Sequence, residues 1–402
     1  MPESWEWCTI DDIAESNIGL TYKPSDISNE GVPVYRSNNI QNRSICLDVV
    51  VRVETQILEK QYLHEGDLLI CARNGSRNLV GKCALISNLS EPTSFGAFMA
   101  VCRSSYNKWI FLLLNSDYFD AYLDDSNSTA INQVTQKMLL AFQMPFPPAN
   151  EQDRIYNEVC KWFSVIDSLE IEERDLKLSI EKAKSKILDL AIHGKLVPQD
   201  PNDEPAIEIL KRINPKFTPC DNAHCPYDLP QNWEWTNLGE ITNYGNCENV
   251  DVNDIPKEGW ILELEDLEKD SAKIIQRLSK DERDIKGVRH SFHKDDVLYS
   301  KLRTYLNKVM VAPEAGFCTT EIIPVTCMSF IQPEYLNHVL RSKYFVDYTI
   351  QCGYGVKMPR LSTTDARNGQ IPLPPYNEQL RIVAKIEELF SVLDEIQESI
   401  EA

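Results

Sequence analysis

The sequence predicts an α+β fold written twice: two mixed α/β globular parts alternating with two long helices that pair as an antiparallel coiled coil. Three observations carry this reading. They are an internal repeat at a fixed offset, a 3.5-residue apolar period after each globular part, and short apolar runs mixed with helical stretches inside them. Trp5-Glu6-Trp7-Cys8-Thr9-Ile10 returns as Trp233-Glu234-Trp235-Thr236-Asn237-Leu238, an offset of 228 residues. Phe146-Pro147-Pro148-Ala149-Asn150-Glu151-Gln152 returns as Leu373-Pro374-Pro375-Tyr376-Asn377-Glu378-Gln379, an offset of 227. Fainter echoes keep the frame: His64 with Asp67-Leu68-Leu69 matches His293 with Asp296-Val297-Leu298, and Tyr118-Phe119 matches Tyr344-Phe345. Two anchors at nearly one offset mark a tandem duplication.

In order, residues 1–148 form the first globular part, 149–197 the first long helix, 198–226 a connector, 227–375 the second globular part and 376–402 a shorter second helix. Asp67-Leu68-Leu69-Ile70-Cys71 and Asp296-Val297-Leu298-Tyr299-Ser300 read as strands. Tyr106–Leu123 and Pro333–Gln351 read as helices, so each part is α+β. After Pro147-Pro148, Asn150 stands as an N-cap with Glu151 and Asp153 in the first turn, where the helix dipole favours acids. Ile155, Val159, Trp162, Ile166, Leu169, Glu173, Leu176, Ile180, Ala183, Ile187 and Leu190 then follow in alternating steps of four and three. Ile382, Ile386, Leu389, Leu393, Ile396 and Ile400 repeat the pattern, and a sustained 3.5-residue period is a coiled-coil signature. At ~1.5 Å per residue the first helix is about 63 Å long and the second about 39 Å. The stretch Pro198–Pro230, which contains the connector, holds seven prolines and one helix at Ala206–Ile213.

At 402 residues the chain is long enough for two to four domains, and no apolar run approaches the ~18 residues of a membrane span. With no signal-peptide pattern at the start, a soluble cytoplasmic protein is expected. Its twelve cysteines are scattered and read as reduced thiols. Cys220, His224 and Cys225 lack the second pair of a zinc site, so no metal is expected. The formal charge of −20 argues against non-specific nucleic-acid binding. Basic residues nevertheless cluster. Cys71–Cys83 holds Arg73, Arg77 and Lys82 with no acid, and Lys286–Met310 holds six basic residues against two acids. Between these, Asp251–Asp284 carries eleven acids.

Taken in order, these features resemble the specificity subunits of type I restriction–modification systems, in which two target-recognition domains alternate with two conserved helices. The resemblance covers essentially the whole chain. It rests on the paired Pro-Pro-x-x-Glu-Gln helix entries, the helix exit Ala191-Ile192-His193-Gly194-Lys195-Leu196-Val197-Pro198 and the Trp-x-Trp openings. Lys301-Leu302-Arg303-Thr304-Tyr305-Leu306-Asn307-Lys308, Met358-Pro359-Arg360-Leu361, and Gly75–Lys82 followed by Ser94-Phe95-Gly96-Ala97-Phe98 add to it. The short second helix departs from the family pattern. The resemblance implies a partner in double-stranded DNA, read as two half-sites, two modification (methyltransferase) subunits and restriction subunits. It places S-adenosylmethionine, ATP and Mg on those subunits and no cofactor in this chain.

Reading DNA needs donors and acceptors at base edges and cations on phosphates. In the first part the candidates are Arg73, Asn74, Ser76, Arg77 and Lys82 around Gly75 and Gly81, with Arg36 and Asn38 as a second cluster. In the second they are Lys301, Arg303, Tyr305, Asn307 and Lys308, with Lys357 and Arg360. Strand alternation sends Lys301, Arg303, Tyr305 and Asn307 to one face. About 63 Å of paired helix spans roughly 18 base pairs at ~3.4 Å each, so the helices set the spacing between half-sites. Phe163 and Phe390, outside the seam, are available for subunit docking.

Catalytic motifs are missing. Pro374-Pro375-Tyr376 resembles part of an adenine-methyltransferase motif, but Leu373 stands where the amide or carboxylate belongs, and no phosphate loop is present. The chain is expected to be non-catalytic. The rival readings are a methyltransferase or nuclease with a divergent site, and a coiled-coil scaffold that binds only proteins.

Overall fold

The two sequence anchors of each repeat are strand partners. In the computed structural model, which describes residues 1–126, 133–219, 225–355 and 357–401, Glu6–Thr9 pairs antiparallel with Gln143–Phe146, Glu6 opposite Phe146. Glu234–Asn237 pairs in the same way with Gln370–Leu373, Glu234 opposite Leu373. Each ribbon therefore ties the beginning of a globular part to its end. Having only two strands, it tolerates Pro145 and Pro372, which cannot donate to a ladder.

The chain then turns a corner built identically twice. The Gln152 side-chain amide donates to the Pro147 carbonyl at 2.7 Å, and Gln379 donates to Pro374 at 3.2 Å. Glu151 accepts the Trp5 indole N–H at 3.2 Å, while its counterpart Glu378 is buried and its carboxyl is raised by that burial. The helices that leave these corners are Ala149–Ile192 and Tyr376–Glu401. Asn150 is not the cap: the helix already starts at Ala149, and the Pro148 carbonyl accepts from Glu151 and Gln152.

Inside each globular part a fully buried strand lies between two antiparallel neighbours. Leu68–Cys71 is flanked by Cys83–Leu85 and Met99–Arg103, and Val297–Ser300 by Val309–Val311 and Ile322–Val325. Each expected long helix is split in two. Asn107–Leu114 and Asp117–Ser126 flank Asn115-Ser116, and Pro333–Arg341 and Lys343–Cys352 flank Ser342. Ser342 has an extended backbone, and its hydroxyl accepts the Phe345 N–H, which restarts the helix at a cap. The connector carries the helix Ala206–Ile213, with Ala206 and Leu210 in the core of the second half. Among the described residues no helix is long and apolar enough to cross a membrane.

Two compact α+β units result, Met1–Glu172 and Glu173–Ala402. Their helices do not form the continuous buried seam that the 3.5-residue period predicts. Ile155 and Val159 pack on the core of the first unit, with Trp109 and Phe111. Ile382 and Ile386 are buried in the second unit with Tyr335 and Leu336. Within that unit Lys184 pairs with Asp394, whereas Asp203, past the end of the first helix, pairs with Arg381 at 2.6 Å. The two helical stretches there run in opposite directions. Ile180 is buried, and Ile187, Leu389 and Leu393 are half-buried. Trp162, Ile166, Leu169, Leu176 and Ile396 are exposed. The first turns of both helices are committed to the cores of their own units.

Truncation should separate these classes: Ile382→Ala costs about 2–5 kcal/mol as a core cavity, while Leu169→Ala stays within about 0.5 kcal/mol. Denaturant unfolding measures both, and equal losses would contradict the assignment. A second expectation concerns His338, buried beside Phe390, whose imidazole is pushed down to about 3 by burial and then by Arg341. Below its ordinary 6.5 the unfolded chain takes up a proton that the folded chain refuses. This contribution is therefore intact above pH 6.5 and is lost as pH falls toward about 3. Over that window stability should fall less steeply for His338→Gln than for the wild type. Superimposable pH–stability slopes would refute it.

Candidate nucleic-acid interface

In the first unit the basic loop Ala72–Lys82 joins Leu68–Cys71 to Cys83–Leu85. The Cys71 N–H donates to Lys82 at 2.8 Å and Gly81 donates back to Cys71 at 2.9 Å, which closes the hairpin neck. Gly81 has φ +92°, and a Cβ there would meet Leu123 and Phe119 at 3.3 Å, so glycine is required. At the other end the amides of Ala72 and Arg73 both donate to the Phe98 carbonyl, at 2.9 and 3.0 Å. The Asn74 amide donates to the Ser37 hydroxyl at 3.1 Å. These bonds bring the loop against a cleft of about 620 Å³ lined by Tyr22, Arg36, Ser37, Asn38, Gly96 and Phe98.

The side chains of that loop divide. The Arg73 guanidinium lies 5.5 Å over the exposed Phe98 ring. The buried Nε of Arg36 has no hydrogen-bond partner. Among the described residues neither Arg36 nor Arg73 pairs with a carboxylate. Asn74 is tied at both ends, since its carbonyl also accepts the Ser76 N–H at 3.0 Å, and so it shapes the loop. Arg77 opens the 3-10 turn Arg77–Leu79 and pairs with Asp124 at 2.6 Å, outside the cleft. Lys82 sits half-buried at the neck.

In the second unit the alternating face does not exist. The strand stops at Ser300, Arg303 and Asn307 adopt left-handed backbone with φ 51° and 50°, and Thr304–Leu306 is a 3-10 turn. Backbone partners elsewhere cause this: Lys301 donates to Glu321, Leu361 to Lys301 and Arg303 to Pro359, at 2.8 to 3.0 Å. Asn307 donates to the Arg341 carbonyl at 3.2 Å, and the Lys308 ammonium donates to Leu264 at 2.7 Å, its pKa lowered by burial. Both serve the frame rather than an open surface. Arg360 holds Glu321 through two bonds of 3.1 and 3.0 Å. Tyr305 and Lys357 are exposed, Lys301 is half-buried, and the half-buried Arg303 keeps a buried Nε without a partner. His290 is buried against the Ile322 carbonyl at 3.0 Å, and its pKa is lowered by burial.

The two interfaces share a frame, bond for bond. Ala72→Phe98 corresponds to Lys301→Glu321, Val134→Ala72 to Leu361→Lys301, and the bridge Arg73–Gln133 to Leu302–Arg360. His64 and His293 each donate a backbone N–H to a buried aspartate, Asp67 at 2.9 Å and Asp296 at 2.8 Å. Glu321 and Glu263 face the second interface but were not among the residues expected from the sequence, and Phe98 entered only through a family motif. Their signal is the paired frame, which survives where the sequence identity of the repeats has gone. Cys220 and His224 lie outside the described residues. Among those described, no three His, Cys, Asp or Glu side chains are grouped to hold a metal ion.

Comparison with known proteins agrees with this duplicated frame. Residues 2–182 match the type I restriction modification DNA specificity domain. The EcoAI specificity subunit of Escherichia coli is 23% identical, over 99% of this chain and 79% of the relative. The EcoKI specificity subunit of Escherichia coli strain K12 is also 23% identical, over 100% of this chain and 85% of the relative. A chain from a structure on complex assembly and conformational transition of the type I R-M system shares the fold, with a TM-score of 0.61 at 18% identity over 100% of this chain and 93% of that one. Residues 2–182 thus match the type I restriction modification DNA specificity domain, and over its whole length the chain is similar to specificity subunits of type I restriction–modification systems.

Proposed function

We propose that this chain reads a bipartite site in double-stranded DNA, one half through each unit, and leaves all chemistry to its partners. The observation that carries this is the frame repeated in both units, each holding cations and aromatic side chains at the end of the same buried strand. In the first half Arg36, Asn38 and Arg73 face the DNA, with Lys82 at the hairpin neck. In the second, Lys301, Arg303, Tyr305 and Lys357 do so. Arginine forks suit guanine, amides suit adenine, and lysines fix register on phosphate.

The helices set the distance between the half-sites and dock two methyltransferase subunits, which supply S-adenosylmethionine, and restriction subunits that use ATP and Mg join them in the cytoplasm. Exposed Trp162, Ile166 and Leu169 offer apolar surface for such docking. Antiparallel pairing of the helices beyond the contacts at Lys184 and Asp394 belongs to the same proposal. The chain itself needs no cofactor.

The test is co-expression with the cognate modification subunits in an unmethylated host, followed by mapping of methylated adenines. A split motif is expected, and exchanging residues 1–148 for those of another family member should change one half only. A continuous motif, or the loss of both halves, would overturn the proposal. In the same assay Arg303→Ala should weaken the second half alone, by about 1–3 kcal/mol if it contacts a base.

A further inference from the structure

The two units place different chemistry at one station of the shared frame. In the first, Ile27–Tyr35 runs parallel to Ser94–Phe95 and ends in the 3-10 turn Ser37–Asn39. The buried Asn39 side chain accepts the Arg36 N–H at 2.9 Å. In the second, Trp260–Leu262 runs parallel to Gly316–Cys318 and ends in the turn Leu264–Asp266. There the buried Asp266 accepts the Glu263 N–H at 2.7 Å. Pairing of Tyr35 with Phe95 and of Leu262 with Cys318 aligns Arg36 with Glu263 and Asn38 with Glu265. Equivalent turns, Met99 to Gly96 at 2.8 Å and Ile322 to Thr319 at 2.9 Å, align Phe98 with Glu321.

Both stations are open. The first is the cleft of about 620 Å³ at Arg36, and the second is a cavity of about 510 Å³ lined by Glu263, Leu264, Glu265 and Arg283 among others. The residues that build the turn keep their role in both units, whereas those at the opening change from a guanidinium without a carboxylate partner to carboxylates that are each paired with an arginine. Guanidinium only donates and carboxylate only accepts, so no single base edge satisfies both. At the first station Arg36 retains an unpartnered Nε, Gly96 leaves room beside its stem with a would-be Cβ 3.5 Å from Cγ, and the exposed Phe98 forms the opposite wall.

We propose that the cleft between the Arg36 turn and Phe98 is the base-discriminating pocket of the first half. Arg36 donates to the O6 and N7 acceptors of one guanine, and Phe98 packs against the neighbouring base. At the matching station the arginines are already engaged, Arg289 with Glu263 at 2.9 Å and Arg283 with Glu265 at 3.5 Å, so the second unit presents no guanidinium equivalent to Arg36 there. This rests on the reading of the chain as a two-part DNA reader and adds the residue and the base.

The experiment uses the full chain co-expressed with its modification subunits, and maps methylated adenines for wild type, Arg36→Ala and Phe98→Ala. Arg36→Ala should make one position of the first half degenerate, with the preference for guanine reduced roughly 5- to 150-fold, the worth of a bidentate pair. The second half should keep its sequence. Because Phe98 is exposed, Phe98→Ala folds even if Arg36→Ala does not, and it should relax the same position or its neighbour. A first half left intact in the folded variants, or methylation weakened uniformly without relaxation, overturns the pocket. Absence of a split motif in the wild type would instead sink the two-part reading beneath it, so the two failures are distinguishable.

Discussion

The layout of each unit depends on one closure: a two-stranded ribbon that pairs the first residues of a globular part with its last. It fixes where the chain enters and where it leaves, and it sets the helix that follows directly on the exit corner. The corner is stabilised by polar groups that would be costly to bury alone. Gln152 and Gln379 satisfy carbonyls that no following N–H can reach, because the chain turns at paired prolines. The Pro-Pro-x-x-Glu-Gln sequence is thus a statement about hydrogen bonding at a strand-to-helix junction, independent of any ligand.

From that closure follows a division between frame and tip. Buried aspartates and amides that hold backbone N–H groups, Asp67, Asp296, Asn39 and Asp266, occupy matching places in both units. Removing one strands a buried donor, so these positions are tightly constrained. Residues that face the openings differ instead: Arg36, Asn38 and Phe98 stand where Glu263, Glu265 and Glu321, each paired with an arginine, stand in the second unit. A scaffold that fixes the backbone to this degree can change its side-chain chemistry without rebuilding itself, which suits recognition of different ligands by one fold.

Much of the fold was legible where local pattern and pairing coincide. The repeated anchors proved to be strand partners, and the apolar runs at Leu68–Cys71 and Val297–Ser300 are buried strands. The misreadings share a cause. Ser300 ends its strand because Glu321, Pro359 and Leu361 take up the backbone beyond it, partners that no local window reveals. A 3.5-residue apolar period marks a continuous helix face without saying what covers it. Ile155 and Ile382 turn to their own cores, and Trp162 and Leu169 are left exposed. Asn307 and Lys308 had the right chemistry for DNA but spend it on the carbonyls of Arg341 and Leu264.

Charge limits how many side chains can carry the proposed recognition. With 61 acidic against 41 basic residues, the chain as a whole repels a polyanion at long range. Affinity for duplex DNA comes largely from cations that displace counterions, and it falls steeply with salt. A surface of this sign offers little such affinity to arbitrary sequence. On the proposed reading its useful cations are those that acids leave unpaired, Arg36 and Arg73 among them. Arg77 and Arg360, by contrast, are already paired with Asp124 and Glu321 and must break those bonds before they can serve DNA. On the proposed reading, discrimination on this scaffold therefore rests on which arginines the frame leaves without a carboxylate, and the number of arginines in a loop says little about it.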